Sequence, residues 1–239
     1  MGPGFCRITL AAPDIASLVE PGQFVQVFMP PEHPHMLPRP FSIYKADAEN
    51  GVLTILVEIK GKGSRLLADR GPGSFLKLLG PLGRGFPPPP PGSILVAGGM
   101  GIAPLAFLAE SVNKPRTLLY CARTADLLVC PGADLDLPGL QIIRATDDGT
   151  TGIKGTAADL LSGQIEGAPA VFACGPRPML TAVKEICLRW GVNAWLSLEE
   201  RMACGIGACV GCVVLTIDGY KRVCRDGPVF PAEEVILDG

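Results

Sequence analysis

Cys204, Cys209, Cys212 and Cys224 stand at the spacing C-x4-C-x2-C-x11-C. Three thiols on one glycine-rich loop with a fourth further on is the plant-type spacing of a [2Fe–2S] cluster, in which each iron takes two thiolates. Gly205, Gly207 and Gly211 suit a backbone that must wrap tightly and aim N–H groups at sulfur. A turn places the fourth thiol. Val213 to Ile217 and Tyr220 to Val223 flank Asp218-Gly219, a two-residue hairpin signal. With Ile217 opposite Tyr220, Val213 falls opposite Cys224, so the hairpin returns Cys224 beside Cys212. Four cysteines also suit tetrahedral zinc, although zinc sites usually come as two C-x2–4-C pairs. A disulfide framework does not fit: nine cysteines in 239 residues, with no apolar export segment at the start, do not resemble a small secreted scaffold. Cys6, Cys121, Cys130, Cys174 and Cys187 are expected as free thiols of a reducing compartment.

Other stretches could hold phosphates or a nicotinamide. In Leu37-Pro38-Arg39-Pro40-Phe41-Ser42, Arg39 offers a planar fork for a phosphate, the prolines force extended backbone, and Ser42 offers a hydroxyl. The bland alternative is an edge strand with a surface arginine. Gly61-Lys62-Gly63-Ser64 precedes a short helix expected over 65–69, with Ser64 as N-cap; free N–H groups there suit an anion. Gly99-x-Gly101-x-x-Pro104 matches a dinucleotide-binding turn except for its final proline, which suits the first turn of a helix over 105–111. Cys174-Gly175-Pro176 and Asp147-Asp148-Gly149 each follow a strand. Cys174 could face a nicotinamide or fill a core, and the aspartates could be a solvated turn. Arg123 could meet a 2′-phosphate or solvent.

Two kinds of element must position these groups. Residues 5 to 86 read as short strands, 5–10, 23–29 and 52–59, separated by Gly/Pro turns, which suggests a small antiparallel barrel. Pro87 to Pro91 is a stiff linker. Residues 93 to 198 alternate strand and helix, with strands at 94–97, 117–120, 141–145, 170–174 and 193–198, the pattern of a doubly wound parallel sheet whose ligands sit at the strands' C-terminal ends. A helix from Pro178 to Trp190 carries the apolar stripe Met179, Val183, Ile186, Cys187 and Trp190, and Gly191 stops it. The expected class is thus multidomain α+β: a barrel over 1–88, a doubly wound α/β domain over 93–198, and a cysteine segment with a hairpin over 199–239.

Composition narrows the function classes. Charged residues are only 18% against 48% hydrophobic, and the net charge is −2 without a basic block, so nothing suggests nucleic acid. The apolar run from Ile94 to Ala109 is broken by glycines and Pro104 and is too short for a bilayer. A soluble cytoplasmic protein is expected. The cysteine loop itself is apolar at Met202, Ala203, Ile206, Ala208 and Val210, which suggests a face that docks on another protein.

Taken together, Arg39-Pro40-Phe41-Ser42, Gly63-Ser64, Gly80-Pro81-Leu82-Gly83, Gly98 to Pro104 and Cys174-Gly175-Pro176 resemble the ferredoxin reductase superfamily, which pairs an FAD-binding barrel with a nicotinamide-nucleotide domain. The stretch Glu199 to Cys212 with Cys224 to Phe230 resembles the electron-transfer subunits of two-subunit, NAD-dependent dihydroorotate dehydrogenases. Ser64 stands where threonine is common, which keeps the hydroxyl, and the short N-terminus leads to the expectation of a clipped first barrel strand.

The resemblance implies that Arg39, Pro40, Phe41, Ser42, Leu56, Val57, Glu58, Gly63 and Ser64 hold FAD. It implies that Gly99, Met100, Gly101, Cys174, Gly175 and Pro176 hold NAD, and that the cysteine quartet holds the cluster. It implies a relay in which FAD exchanges a hydride with nicotinamide and single electrons with the cluster. The cluster would meet the FMN of a separate catalytic subunit, in a heterotetramer of two plus two, that oxidises dihydroorotate to orotate in pyrimidine biosynthesis. Two other readings share parts of the pattern: a flavin/iron–sulfur subunit of an NAD(P)H:ferredoxin or sulfide-type oxidoreductase, and a non-enzymatic zinc-stabilised regulatory module.

Overall fold

The computed structural model describes residues 4–29, 37–111, 117–129 and 140–237, so Cys130 lies outside the described residues. The chain begins with β1 (Phe5–Ala11), the short helix α1 (Pro13–Ala16), β2 (Phe24–Val27), β3 (Arg39–Asp47), β4 (Val52–Glu58), α2 (Lys62–Ala68) and β5 (Leu78–Leu82). The strands pair antiparallel in the order β1-β4-β3-β2-β5. Cys6 and Ile8 from one edge strand and Leu78 from the other pack on the same core, Val25, Val27, Ile43, Leu53, Ile55 and Val57. A sheet whose two edges share one core has wrapped into a barrel, as expected.

Two local expectations change here. Arg39 to Ser42, read as a stiff approach, opens a nine-residue strand. The helix expected over 65–69 begins at Lys62, which makes Gly61 the N-cap. Ser64 sits one turn inside, where its hydroxyl accepts the N–H groups of Lys60 and Gly61, each at 3.1 Å. The hydroxyl still satisfies helix-start donors, but from within the turn rather than ahead of it.

After the proline run come β6 (Ile94–Gly98), a 3-10 turn over Gly99–Gly101, α3 (Ile102–Ser111), β7 (Thr117–Ala122), β8 (Gln141–Thr146), β9 (Ile153–Lys154), α4 (Ala157–Ser162), β10 (Ala170–Cys174), α5 (Arg177–Trp190) and β11 (Asn193–Ser197). The sheet order is β14-β11-β10-β6-β7-β8-β9, where β14 (Val229–Pro231) is contributed by the chain beyond the cysteines. β6 to β11 are parallel, and β14 is antiparallel to β11. The order of strands reverses between β6 and β10, which makes the crevice between them the expected ligand position. Both faces of the sheet are covered: Val96, Leu119, Val171 and Ala173 pack with α4 and α5, while Leu95, Leu118, Tyr120 and Phe172 pack with α3.

On α5 the buried stripe is Leu180, Val183, Ile186 and Cys187, and Gly191 ends the helix in the left-handed conformation. Trp190, expected in that stripe, is half exposed, and Met179 is partly buried. Met179 and Trp190 flank this stripe rather than lie in it.

The two units share packing. Phe107 of α3 enters the barrel core, Lys45 of β3 pairs with Glu110 at 2.7 Å, and Phe86 meets Phe172 edge to face at 5.8 Å. Beyond the cysteine loop lie β12 (Val213–Thr216), β13 (Gly219–Arg222) and the short helix α6 (Val223–Asp226). The hairpin register differs from the expected one. Thr216 faces Gly219 and Val213 faces Arg222, so the turn is Ile217-Asp218 and Cys224 lies past the strand, in α6. Among the described residues no helix is long and apolar enough to cross a membrane.

Candidate redox centre

The barrel opens where β3 and β4 part. β3 pairs with β2 over Arg39–Ser42 but with β4 only from Ile43 onward, and β4 pairs with β3 only up to Ile55. The facing edges of Arg39–Ser42 and of Leu56–Glu58 are therefore not spent on each other, although the Glu58 carbonyl accepts the Lys60 N–H at 3.0 Å. A cleft sits at this notch. Pro40, Phe41, Ser42, Leu56 and Glu58 line it from the barrel, Met100 from the turn after β6, Ala103 from the start of α3, Ser197 and Leu198 from the end of β11, and Glu199, Glu200, Met202 and Pro228 from the cysteine segment.

Of the residues expected to hold FAD, Pro40, Phe41, Ser42, Leu56 and Glu58 thus converge on one wall. The Val57 side chain points the other way, fully buried in the barrel core, and its backbone faces Cys6 of β1, so Val57 does not reach the cleft. Arg39 is exposed at the start of β3, and Gly63 and Ser64 lie in the first turn of α2; none of the three lines the cleft.

The nicotinamide candidates meet at the topological crevice. A side chain on Gly101 would put its Cβ 2.0 Å from the Cys174 carbonyl oxygen, so the turn after β6 and the end of β10 touch backbone to backbone. Cys174 is itself buried, and burial pushes its thiol well above the ordinary range, with the Glu199 charge adding to the rise. A thiol so shielded is packing at the crevice floor. Gly175 and Pro176 line a second pocket with Arg177, Leu180, Leu237 and Leu198 to Glu200, so Leu198, Glu199 and Glu200 form the wall common to both spaces.

Glu199 was not anticipated from sequence. It keeps accessible surface where it lines the cleft, yet burial of its carboxylate lifts its pKa above the ordinary range; Lys60 pulls it down and Glu58 pushes it up. Lys60 pairs with Glu58 at 2.8 Å, and Arg177 with Glu200 at 2.9 Å. Asp147 and Asp148 are exposed, and Asp148 accepts from the N–H and hydroxyl of Thr150 at 3.0 and 2.7 Å, which is a self-contained turn. Arg123 is exposed beyond β7.

The cysteine loop is built as a thiolate cradle. The Cys224 sulfur receives the N–H of Gly207 at 3.1 Å, that of Cys204 the N–H of Cys209 at 3.4 Å, and that of Cys212 the N–H of Cys224 at 3.4 Å. Burial raises the Cys204 pKa, but the N–H groups of Cys209, Ile206 and Ala208 and the Cys209 thiol outweigh it and bring it down to about 6. Arg222 donates to the Gly207 carbonyl at 3.3 Å while paired with Asp226 at 3.1 Å, tying hairpin to loop. The return of Cys224 beside Cys212 holds despite the shifted register, because the Val223 N–H bonds the Cys212 carbonyl at 2.8 Å. The thiols pair, Cys204 with Cys209 and Cys212 with Cys224. Two thiol pairs fit the plant-type spacing, in which each iron takes two thiolates.

Comparison with known proteins agrees with this geometry. Residues 199–236 match the iron–sulfur cluster binding domain of dihydroorotate dehydrogenase B. The chain is 38% identical over 249 residues to the dihydroorotate dehydrogenase B (NAD+) electron transfer subunit of Desulforamulus reducens, covering 100% of this chain and 95% of that one. The chain belongs to this family of electron-transfer subunits. The corresponding subunit of Geobacillus thermodenitrificans is 39% identical over 97% of this chain and 92% of its own. Among solved structures, an NADH-dependent reduced ferredoxin–NADP oxidoreductase superposes with a TM-score of 0.88 at 26% identity, over 99% of this chain and 87% of that one. Phthalate dioxygenase reductase shares the fold, with a TM-score of 0.59 at 20% identity over 94% and 74%. The protein is an oxidoreductase subunit that works with FAD, a [2Fe–2S] cluster and NAD.

Proposed function

We propose that this electron-transfer subunit links NAD(H) to the FMN of a dihydroorotate dehydrogenase catalytic subunit in pyrimidine (UMP) biosynthesis, as a cytoplasmic heterotetramer of two plus two. The observation that carries the reading is adjacency: Met202, two residues before Cys204, lines the same cleft as Pro40, Ser42 and Met100. One cleft therefore faces the barrel notch, the nucleotide turn and the cysteine loop at once.

When bound, FAD would supply hydride exchange with nicotinamide and single-electron exchange with a [2Fe–2S] cluster. The chain's own residues bind and orient. Residues 1–88 hold FAD: Arg39 binds a phosphate with its fork, Gly63 and Ser64 present the first turn of α2, and the open edges of Pro40 to Ser42 and Leu56 to Glu58 take the ring system. Residues 93–198 hold the nicotinamide nucleotide, where Gly99, Met100 and Gly101 approach Cys174, Gly175 and Pro176 closely enough to leave a narrow crevice for a pyrophosphate. In 199–239, Cys204 and Cys209 take one iron, and Cys212 and Cys224 the other. Ile206 and Val210, 52% and 57% exposed on the same loop, form the face that meets the partner. The 0.88 superposition favours a ferredoxin-linked role as second reading, but the relatives at 38–39% identity weigh toward the first.

The test is reconstitution. The isolated chain should reduce artificial acceptors from NADH yet leave dihydroorotate untouched, and an added FMN-containing catalytic subunit should restore NAD-linked turnover. Ile206→Glu should block that restoration without changing acceptor reduction, because it places an unpaired charge in the interface. Dihydroorotate oxidation by the chain alone, or full coupling in Ile206→Glu, would overturn the docking model.

A further inference from the structure

β2 sends Val25 and Val27 into the barrel core, so alternation turns Phe24 and Gln26 outward, to the side where the cysteine loop lies. Phe24 packs there in one buried cluster with Met202, Cys212 and Cys224. Gln26 is fully buried, and neither its Nε2 nor its Oε1 has a hydrogen-bond partner. An unpaired primary amide in an interior is costly, and a leucine would fill the same space without that cost. The loop is shaped around this amide. Gly205 has φ +71°, and a Cβ on it would stand 2.6 Å from Gln26 Cγ and 2.9 Å from Nε2. Glycine thus lets the residue next to Cys204 close directly over the amide.

We infer that Gln26 Nε2 donates a hydrogen bond to a sulfide that the cluster itself would bring to the Cys204 side of the loop, since no cysteine sulfur of the described residues accepts from it. Through this contact the barrel sets the cluster's reduction potential. An N–H directed at a cluster sulfur stabilises the more negative, reduced state and raises the potential. The inference rests on the cysteine quartet being the cluster site. It assigns to the barrel a contact with the cluster that the cysteine segment alone does not supply.

The experiment uses the full chain, made by cell-free synthesis with glutamine labelled with 15N at the side-chain amide, loaded with cluster and reduced. Of the four glutamines, Gln23 is engaged with the Gly83 carbonyl at 2.9 Å, and Gln141 and Gln164 are exposed. A 15N coupling to the reduced cluster in pulsed EPR therefore reports Gln26. Coupling is expected, and in Gln26→Leu it should vanish while the midpoint potential moves negative with iron, sulfide and FAD content unchanged. A loaded chain with no 15N coupling, or a loaded Gln26→Leu with an unmoved potential, overturns the inference alone; the amide is then met by a buried water. A chain that assembles no cluster overturns the cluster reading and this inference with it. Should Gln26→Leu fail to fold, the coupling in the unsubstituted chain decides.

Discussion

Gly101→Ala tests whether the two nucleotide turns really meet. The added Cβ would stand 2.0 Å from the Cys174 carbonyl oxygen and 2.4 Å from its carbon, where ordinary contact begins at 3.4 Å, a shortfall of 3.4 − 2.0 = 1.4 Å to the oxygen. The obstacle is backbone at the end of a fully buried strand and cannot rotate aside. Relief requires β6 and β10 to part at the crevice. Overpacking of this kind costs about 1–3 kcal/mol where side chains can yield, so a backbone clash belongs at or above about 3 kcal/mol. Gly99→Ala is the matched control. Its Cβ would meet nothing nearer than 3.9 Å, and the penalty comes from φ +52° alone, about 1–2 kcal/mol for a left-handed residue. For a chain of this size about 1 kcal/mol moves Tm by roughly 2–4 °C, so the two variants should separate by several degrees in thermal unfolding. The KM for NADH in acceptor reduction should rise more in Gly101→Ala, with FAD content retained in both. Equal Tm values, or a wild-type KM in Gly101→Ala, would refute the close approach of the two turns.

Other expectations are independent of that one. Serine in place of Cys204, Cys209, Cys212 or Cys224 should each deplete iron and sulfide, whereas Cys121→Ser, buried in the nucleotide sheet, should leave both at wild-type levels. Arg39→Ala should weaken FAD retention by about 1.5–3 kcal/mol, the worth of a charge-assisted contact, read as FAD occupancy after purification; Ser42→Ala should keep occupancy and alter the flavin potential. Asp159 accepts from the Thr156 N–H and hydroxyl at the start of α4, and those bonds hold its pKa below the ordinary carboxylate value. Its contribution is therefore present above the unfolded value, about 3.9, and is lost as pH falls through the lower folded value. Asp159→Asn should lower Tm at pH 6 and lose that difference as acidification passes the unfolded value and then the lower folded one; a gap independent of pH would show that the carboxylate's charge is not what caps the helix.

Sequence made the chemistry legible where ligand spacing or backbone geometry is short-range. The cysteine spacing, the turn after β6 and the Gly191 stop are all set within a few residues. Register was less legible. Asp218-Gly219 looked like the turn itself, but Ile217 N–H bonds the Glu234 carbonyl, a partner 17 residues away (234 − 217), and that pulls the turn back to Ile217-Asp218. The notch between β3 and β4 was invisible because it arises from which strand each half of β3 pairs with. Glu199 gave no signal of its own. Gln26 did: an uncharged polar residue among Phe24, Val25 and Val27 in a strand buried on both faces breaks the pattern that packing alone would write.

The chain leaves the nucleotide sheet at Ser197 and re-enters it at Val229, its register partner, with the Leu198 N–H bonded to the Pro228 carbonyl at 2.9 Å just beyond. Everything that carries the four thiols is thus one long excursion between neighbouring strands, clamped at its neck. Closing such an excursion costs only about 0.6 kcal/mol more for each doubling of its length, and its neck is held whether or not iron is present. The length of the excursion is therefore set apart from the register of the sheet it leaves. Wiring to a new acceptor then becomes a matter of rewriting a loop, with the hydride-handling scaffold left as it was.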